Sequence, residues 1–138
     1  MISLKSAIKF HGHLGPWLVI GLCLGDYALK KIKAKRYFGL SVIARIPNHK
    51  PISCLIDGLQ LSTGCTLGKD NIRIINDRKI RVNFINKKNK KNIALGINYG
   101  ILERLSKLKS HDDSESLAKH LYRTDPEHIV KIIFPPCY

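Results

Sequence analysis

The sequence predicts a single α+β domain over residues 1–138, with an antiparallel sheet packed against helices that include a buried N-terminal helix. The length of 138 residues fits one domain. Pro16 suits the first position of a helix, and the residues that follow it are apolar on all sides, as in a buried helix. Segments typical of strands cluster together instead of alternating strictly with helices, which favours α+β over α/β.

The remaining elements follow from hydrophobic period, turn residues and caps. The predicted helices cover residues 3–9, 16–33, 54–61, 101–108 and 112–122. The predicted strands cover residues 37–46, 71–76, 79–86, 92–97 and 129–134. Residues 10–15 are expected to be a loop, because this stretch contains two glycines.

Local patterns predict three contacts within this fold. The strands at 71–76 and 79–86 are expected to form a hairpin around Asp77-Arg78. Within it, Asn83 is expected on the solvent face. Gly21 and Gly25, four residues apart on the central helix, are expected to let another backbone come close.

The helix starts also carry predicted caps. Ser53 is expected to cap the helix that begins at residue 54. Asp112 with Glu115, and Thr124 with Glu127, resemble capping boxes.

The chain is strongly basic. It has 24 Lys and Arg residues against 10 acidic residues, which gives a formal net charge of +14. Such a charge attracts anions, including nucleic acid, phosphate-bearing cofactors, an anionic small molecule or an acidic partner. The basic residues are spread along the chain, which fits a solvated surface better than a dedicated groove and argues against a nucleic-acid partner.

The cysteines and the apolar segments indicate a cytoplasmic protein. No signal peptide is apparent, so the four cysteines are expected in a reducing compartment as thiols or metal ligands. No Cys-x-x-Cys pair is present. The apolar run at residues 14–25 is shorter than the ~20 residues of a membrane span. Cys23 is expected to be packing, and Cys137 incidental.

The segment His11-Gly12-His13 is the first candidate site. Two histidines separated by glycine, just before a buried helix, can turn towards one point, and imidazole binds zinc and similar metals. Either histidine can also act as a general base near neutral pH, whereas a lone loop histidine usually bonds a carbonyl or caps a helix. His49, His111, His120 and His128 are expected to be surface or capping residues.

Cys54 and Asp57 form the second candidate. Cys54 is expected at a helix N-terminus, where the helix dipole lowers the pKa of a thiol and favours the thiolate. Asp57, one turn later, can orient a histidine or bond the first turn. The alternative is structural, with Cys54 as a small buried hydrophobe.

The third candidate is the segment around Cys65. Residues 63–69 are Thr-Gly-Cys-Thr-Leu-Gly-Lys, but the glycine spacing and the Asp after Lys69 exclude a phosphate-binding P-loop. A glycine-flanked Cys65 remains, with Lys69 close enough to favour its thiolate or to contact an anion. The alternative is a plain turn between a helix and a strand.

Together these segments resemble the FmdE family of formylmethanofuran dehydrogenase proteins in order and spacing, over nearly the whole chain. The matching motifs are Phe10-His11-Gly12-His13-Leu14-Gly15-Pro16, Ile20-Gly21-Leu22, Cys54-x-x-Asp57-Gly58-x-Gln60, Thr63-Gly64-Cys65-Thr66-Leu67-Gly68-Lys69-Asp70-Asn71 and Asp125-Pro126-Glu127. The resemblance covers the core domain, and the C-terminal zinc-binding domain of longer members is not expected here.

The resemblance implies an α+β core that is often dimeric and a metal site, with zinc as the expected ion. Carried over by position, the ligands would come from His11, His13, Cys54 and Cys65, with Asp57, Gln60 and Lys69 nearby. Members are associated with the molybdenum or tungsten enzyme that forms formylmethanofuran in methanogens, which implies a role in one-carbon metabolism of archaea.

Three functions therefore stay open. The first is a metal-binding protein of one-carbon metabolism, and the second is a metal-free enzyme with Cys54 or Cys65 as nucleophile, or Asp57 in a catalytic role. The third is a basic nucleic-acid-binding module, which leaves the histidine and cysteine segments unexplained. No organic cofactor motif is present, so the sequence alone does not decide whether the chain is an enzyme.

Overall fold

The computed structural model describes residues 1–135 and confirms the α+β class. The helices are α1 (Leu4–His11), α2 (Pro16–Lys31), α3 (Cys54–Thr63), α4 (Tyr99–Ser106) and α5 (His111–Arg123), with a 3₁₀ turn at Pro126–His128. The strands are β1 (Leu40–Ile46), β2 (Ile72–Asn76), β3 (Arg81–Asn86), β4 (Asn92–Ile97) and β5 (Val130–Ile133). Cys137 lies outside the described residues.

The five strands form one mixed sheet in the order β2-β1-β3-β4-β5. The pairs β1–β3, β3–β4 and β4–β5 are antiparallel, as expected, whereas β1 and β2 are parallel and are connected through α3. The predicted hairpin between β2 and β3 is therefore wrong, because β1 lies between these two strands. The predicted pairing of the third strand, β4, with β3 is confirmed.

Burial explains why β1 takes the place next to β3. Every second residue of β1, from Leu40 to Ile46, is almost completely buried. In β2 only Ile72 is buried, and Ile75 is 37% exposed. The strand with the larger apolar face gains more from the interior of the sheet, so β2 is left at the edge.

The second face of the sheet is less exposed than its sequence indicates. Asn83 of β3 was expected to face solvent, but its side chain is fully buried. Its Oδ1 atom accepts a hydrogen bond from the Arg45 guanidinium at 3.2 Å. The alternation of apolar and polar residues is therefore correct, whereas the inference that the polar face is solvated is wrong at this residue.

Helix α2 is buried from Leu18 to Ala28, as its composition predicts. Along the described part of the chain, no helix combines the length and the apolar character needed to cross a bilayer. On one side α2 packs closely against α3, at Gly21 and Gly58. A methyl group on Gly21 would lie only 2.8 Å from the Gly58 Cα, so the two backbones touch directly.

Ser62 ties the two helices together at the same contact. Its hydroxyl lies 2.8 Å from the Gly58 carbonyl oxygen and 3.2 Å from the Gly21 carbonyl oxygen. A methyl group on Gly25 would also collide with Ser62. The expectation that these glycines allow a close backbone approach is confirmed. The contact fixes α3, and with it the first turn that carries Cys54 and Asp57.

The ends of the helices differ in detail from the predictions. Helix α1 continues through His11, and Gly12 ends it in the left-handed region with φ of 106°. Ser53 makes no side-chain capping bond. Helix α5 is capped by Ser110, whose hydroxyl accepts from the Asp113 N–H, and not by Asp112. Asp125, and not Thr124, caps the turn at Pro126–His128.

Candidate functional site

A cavity of about 480 Å³ lies where several helix ends meet. The end of α1, the loop after it, and the starts of α2, α3 and α5 all contribute to its wall. The side chains used in the arguments below are His11, His13, Trp17, Cys54, Lys109 and His111. Three of the four predicted metal ligands, the two histidines and Cys54, therefore line one cavity.

His11 is held in place by Asp57. The Nδ1 atom of His11 lies 2.5 Å from Oδ2 of Asp57, and this contact joins α1 to the first turn of α3 across 46 residues of sequence. The His11 side chain is only 9% exposed. Its second ring nitrogen, Nε2, is buried and has no hydrogen-bond partner. Leaving such an atom unpaired costs about 1–3 kcal/mol, so a ligand atom there would be favoured.

His13 lies beside His11 at the surface of the molecule. The two ring centroids are 4.7 Å apart and the rings are tilted by 34°. His13 is exposed, whereas His11 is partly buried. The pair therefore presents one fixed imidazole and one that solvent can reach, as the expectation that both turn towards one point requires.

Cys54 is the first residue of α3 and is partly exposed. Burial and the Asp57 carboxylate raise the pKa of its thiol, and Lys50 and the backbone N–H of Cys54 offset only part of this. The prediction that the helix N-terminus lowers this pKa is wrong. The N–H groups of Cys54, Leu55 and Ile56 already donate to the carbonyls of residues 51–53, at 3.0–3.1 Å. Because these donors are satisfied, less positive potential reaches the sulfur.

Cys65 lies away from this cavity, in the main hydrophobic core. It is fully buried, and its Sγ atom contacts the Leu40 carbonyl oxygen at 3.5 Å. Burial raises the pKa of the Cys65 thiol, although a hydrogen bond with Thr63 and the charges of Lys69 and Lys87 act in the opposite direction. The prediction that Lys69 makes Cys65 a thiolate is therefore wrong.

Lys69 and Gln60 are also absent from the described lining of the cavity. The ammonium group of Lys69 lies 3.4 Å from the Thr66 hydroxyl, and it stands 5.9 Å from the Tyr37 ring centroid. The anion contact expected at Lys69 is not tested by these distances and stays a prediction. It would belong to the surface around Tyr37 and not to the cavity that holds the histidines.

Cys23 matches its predicted packing role. It is buried in α2, and burial together with Asp26 and Asp125 raises the pKa of its thiol to about 12. Such a thiol stays protonated and unreactive at neutral pH.

Within residues 1–135, no group of three or more His, Cys, Asp or Glu side chains is arranged to hold a metal ion. His11, His13 and Cys54 share a cavity without forming a closed coordination shell. The donor types fit zinc, since imidazole and thiolate are its usual ligands. The arrangement thus supplies donor chemistry, and one donor that is buried and unpaired, at one place.

A comparison with known protein families matches residues 10–133 to FmdE, described as "Molybdenum formylmethanofuran dehydrogenase operon". The chain belongs to the FmdE family. The match covers most of the chain and includes both ends of the candidate site, so the family resemblance noted from the motifs is confirmed.

Two individual proteins are also similar to this FmdE-family chain. One is a "Probable S-adenosyl-L-methionine-binding protein" of Archaeoglobus fulgidus, 27% identical over 126 residues, which are 88% of this chain and 33% of that protein. The chain thus spans about a third of the length of this curated relative. The other is the crystal structure of an FmdE-like protein of tungsten formylmethanofuran dehydrogenase from Syntrophus aciditrophicus.

That crystal structure supports the fold. It has a TM-score of 0.70 and 22% sequence identity, covering 94% of this chain and 69% of the other. At this identity the similarity concerns the fold alone. It agrees with the α+β arrangement of helices and sheet described above.

Sequence reasoning missed Lys109 and His111 as parts of the cavity wall. His111 was expected to be a surface or capping residue, and it is exposed, but it also stands at the start of α5 beside the cavity. The cap formed by Ser110 and Asp113 was the available signal, because it places the start of α5 at His111 and not after Asp112. His49, His120 and His128 are exposed, as predicted.

Proposed function

We propose that this FmdE-family chain binds one divalent transition-metal ion, with zinc as the first candidate, at the cavity lined by His11, His13 and Cys54. Two imidazoles and one thiolate suit zinc, and three protein ligands leave a position for water or substrate. A metal bound in this way supplies Lewis-acid polarisation or an activated water.

The state of His11 is the single observation that carries this proposal. Its Nδ1 atom bonds Asp57, and its Nε2 atom is buried without a partner. Metal-binding histidines typically use one nitrogen for the ion and give the other N–H to a carboxylate, which fixes the tautomer and the ring orientation. Asp57 would thus be an orienting residue, and His11 would be the ligand that is already positioned.

His13 and Cys54 complete the proposed ligand set. Both line the same cavity as His11, and both have solvent access that would let an ion reach them. Cys54 would lose its proton on binding, because the thiolate is the form that coordinates metal. Cys65, the fourth residue of the expected set, is left out of this proposal because its sulfur contacts the Leu40 carbonyl away from the cavity.

Metal analysis of the tag-free protein tests the proposal. We expect about one zinc per chain in the wild type, and little in Cys54→Ala or His11→Ala. His49→Ala is the matched control, because His49 is exposed and bonds only the neighbouring Lys50 carbonyl. A wild-type protein that is metal-free after purification and refuses added zinc would overturn the proposal.

The thiol-nucleophile alternative is an outcome of the same experiment. The raised pKa of Cys54 argues against it, since little thiolate forms near neutral pH. Zinc-free protein in which Cys54 nevertheless alkylates rapidly at pH 7 would favour it over metal binding.

S-adenosylmethionine is the second candidate ligand, because the Archaeoglobus relative is described as a probable binder of it. A cavity of about 480 Å³ that Trp17 lines is within the range of small-molecule sites. Calorimetric titration with S-adenosylmethionine tests this directly. Binding that survives Trp17→Ala unchanged would exclude this cavity as the place where it binds.

We further propose that the chain acts in one-carbon metabolism, in association with a molybdenum or tungsten formylmethanofuran dehydrogenase. The operon named in the family description supports this. A homodimer is the assembly that the family resemblance implies, and it stays a prediction. Sedimentation of the purified chain tests the dimer, and co-purification with the dehydrogenase from the native source tests the association.

A further inference from the structure

We infer that the same cavity contains an anion subsite, centred on Lys109 and on the N-terminal ends of α2 and α5. It would take the carboxylate or phosphate group of a small ligand with an apolar body. This inference deepens the proposed function, because such a ligand would lie against the proposed metal ligands. It does not require that the metal be present, so it can be tested separately.

The charges of the cavity wall favour an anion. Of the described residues that line the cavity, none is acidic, and Lys109 carries a full positive charge. The hydroxyl groups of Ser110 and Ser114, which line the wall near Lys109 in sequence, are additional hydrogen-bond donors. Asp57 lies close to His11 but is not among the lining residues.

The helix starts add backbone donors to the same wall. Helix α2 has 16 residues, and its N-cap Gly15 makes no side-chain capping bond. No acidic residue stands in its first turn. The first N–H groups of a helix lack partners within the helix and attract anions, and Trp17 and Leu18 at this end line the cavity. Helix α5, with 13 residues, begins at His111 on the same cavity.

His11 points to a ligand independently of these helix ends. Its side chain is about nine-tenths buried, and its Nε2 atom has no hydrogen-bond partner. The residue is part of the cavity wall. A buried polar atom of this kind is favoured by a partner that the folded chain does not itself supply. Either a metal ion or a polar group of the ligand satisfies it.

The rest of the wall indicates an apolar body for the ligand. It is formed largely by Leu14, Trp17, Leu18, Pro51, Leu105 and Leu108. These side chains offer no charge to pair with, so they suit a hydrocarbon or aromatic group. The subsite therefore fits a small aromatic or aliphatic carboxylate or phosphate ester better than a bare inorganic ion.

The single tryptophan of the chain, Trp17, makes the test direct, because its fluorescence reports occupation of this cavity. Phenyl phosphate and benzoate are titrated into chelator-treated protein at low salt, with benzyl alcohol as the neutral analogue. We expect both anions to give a saturable change in emission and benzyl alcohol to give none in the same range. Lys109→Gln should weaken anion binding about tenfold, the loss of one charge-assisted contact.

Lys107→Gln is the matched control. Lys107 is two residues away, is 72% exposed, pairs with Glu103 and does not line the cavity. Equal weakening by Lys107→Gln would assign the binding to the diffuse charge of +14 and overturn the subsite, as would equal binding of benzyl alcohol. Anion binding that depends on Lys109 in protein unable to hold zinc would sustain the subsite and reject the metal. Zinc binding without it would do the reverse.

Discussion

The substitution Gly58→Ala tests the contact that positions the site. A methyl group on Gly58 would collide with the Leu18 carbonyl oxygen and would lie 2.7 Å from both the Gly21 Cα and the Leu22 N. All three atoms belong to the backbone of α2, so no side chain can rotate away. The two helices must separate to accommodate the methyl group.

The cost can be worked from these contacts. Overpacking a tight interior contact costs about 1–3 kcal/mol, and a contact that is entirely backbone belongs at the upper end of that range. Alanine regains about 0.8–1.0 kcal/mol of helix propensity over glycine. The free energy of unfolding of Gly58→Ala should therefore fall by about 2 kcal/mol.

Urea denaturation followed by Trp17 fluorescence measures this change. With a slope of about 1–3 kcal/mol per molar urea, the midpoint should fall by about 1 M. Gly100→Ala is the matched control, because this glycine is in helix α4 and a methyl group there meets nothing closer than 3.6 Å. The control should be unchanged or slightly more stable. If Gly58→Ala unfolds at the wild-type urea concentration, the backbone contact between α2 and α3 is not as close as described.

Two further predictions concern the site and the thiols. Asp57→Asn should weaken zinc binding by about 10–100-fold, measured by competition with a chromophoric chelator, because the bond that orients His11 is lost; unchanged affinity would remove Asp57 from the proposed site. In a Cys137→Ser background at pH 8, Cys23 and Cys65 should resist alkylation until urea unfolds the chain, since burial raises both pKa values and less thiolate is present at any given pH; labelling of either thiol in the folded protein, read by peptide mass spectrometry, would contradict their burial.

The parts of the fold that the sequence predicted are those decided by local composition. Helix α2 is apolar on every side, which leaves no choice but the interior, and it is buried as expected. The pairing of β2 with β1 was not predictable in the same way. The alternation in β2 and β3 indicates which face of each strand is apolar, but strand order depends on the burial that distant β1 achieves.

The site shows the same division between local and distant information. The family motifs single out His11, His13 and Cys54, and the structure brings these three to one cavity. The motifs do not separate Cys65 from them, because its position is decided by where the chain enters the core after α3. Lys109 was missed for a related reason, since nothing near it in sequence indicates that it faces the start of α2.

The fold also relates the stability of the chain to occupation of the site. Cys54 and Asp57 lie on the first turn of α3, whereas His11 ends α1 and His13 stands in the loop that leads into α2. An ion held by His11, His13 and Cys54 would join these elements at the end opposite the Ser62 contact. Ligands that bind only the folded state stabilise it by mass action, so zinc should raise the unfolding midpoint of the wild type. In Gly58→Ala, where α3 is displaced, the same zinc concentration should stabilise less, because one ligand has moved relative to the others.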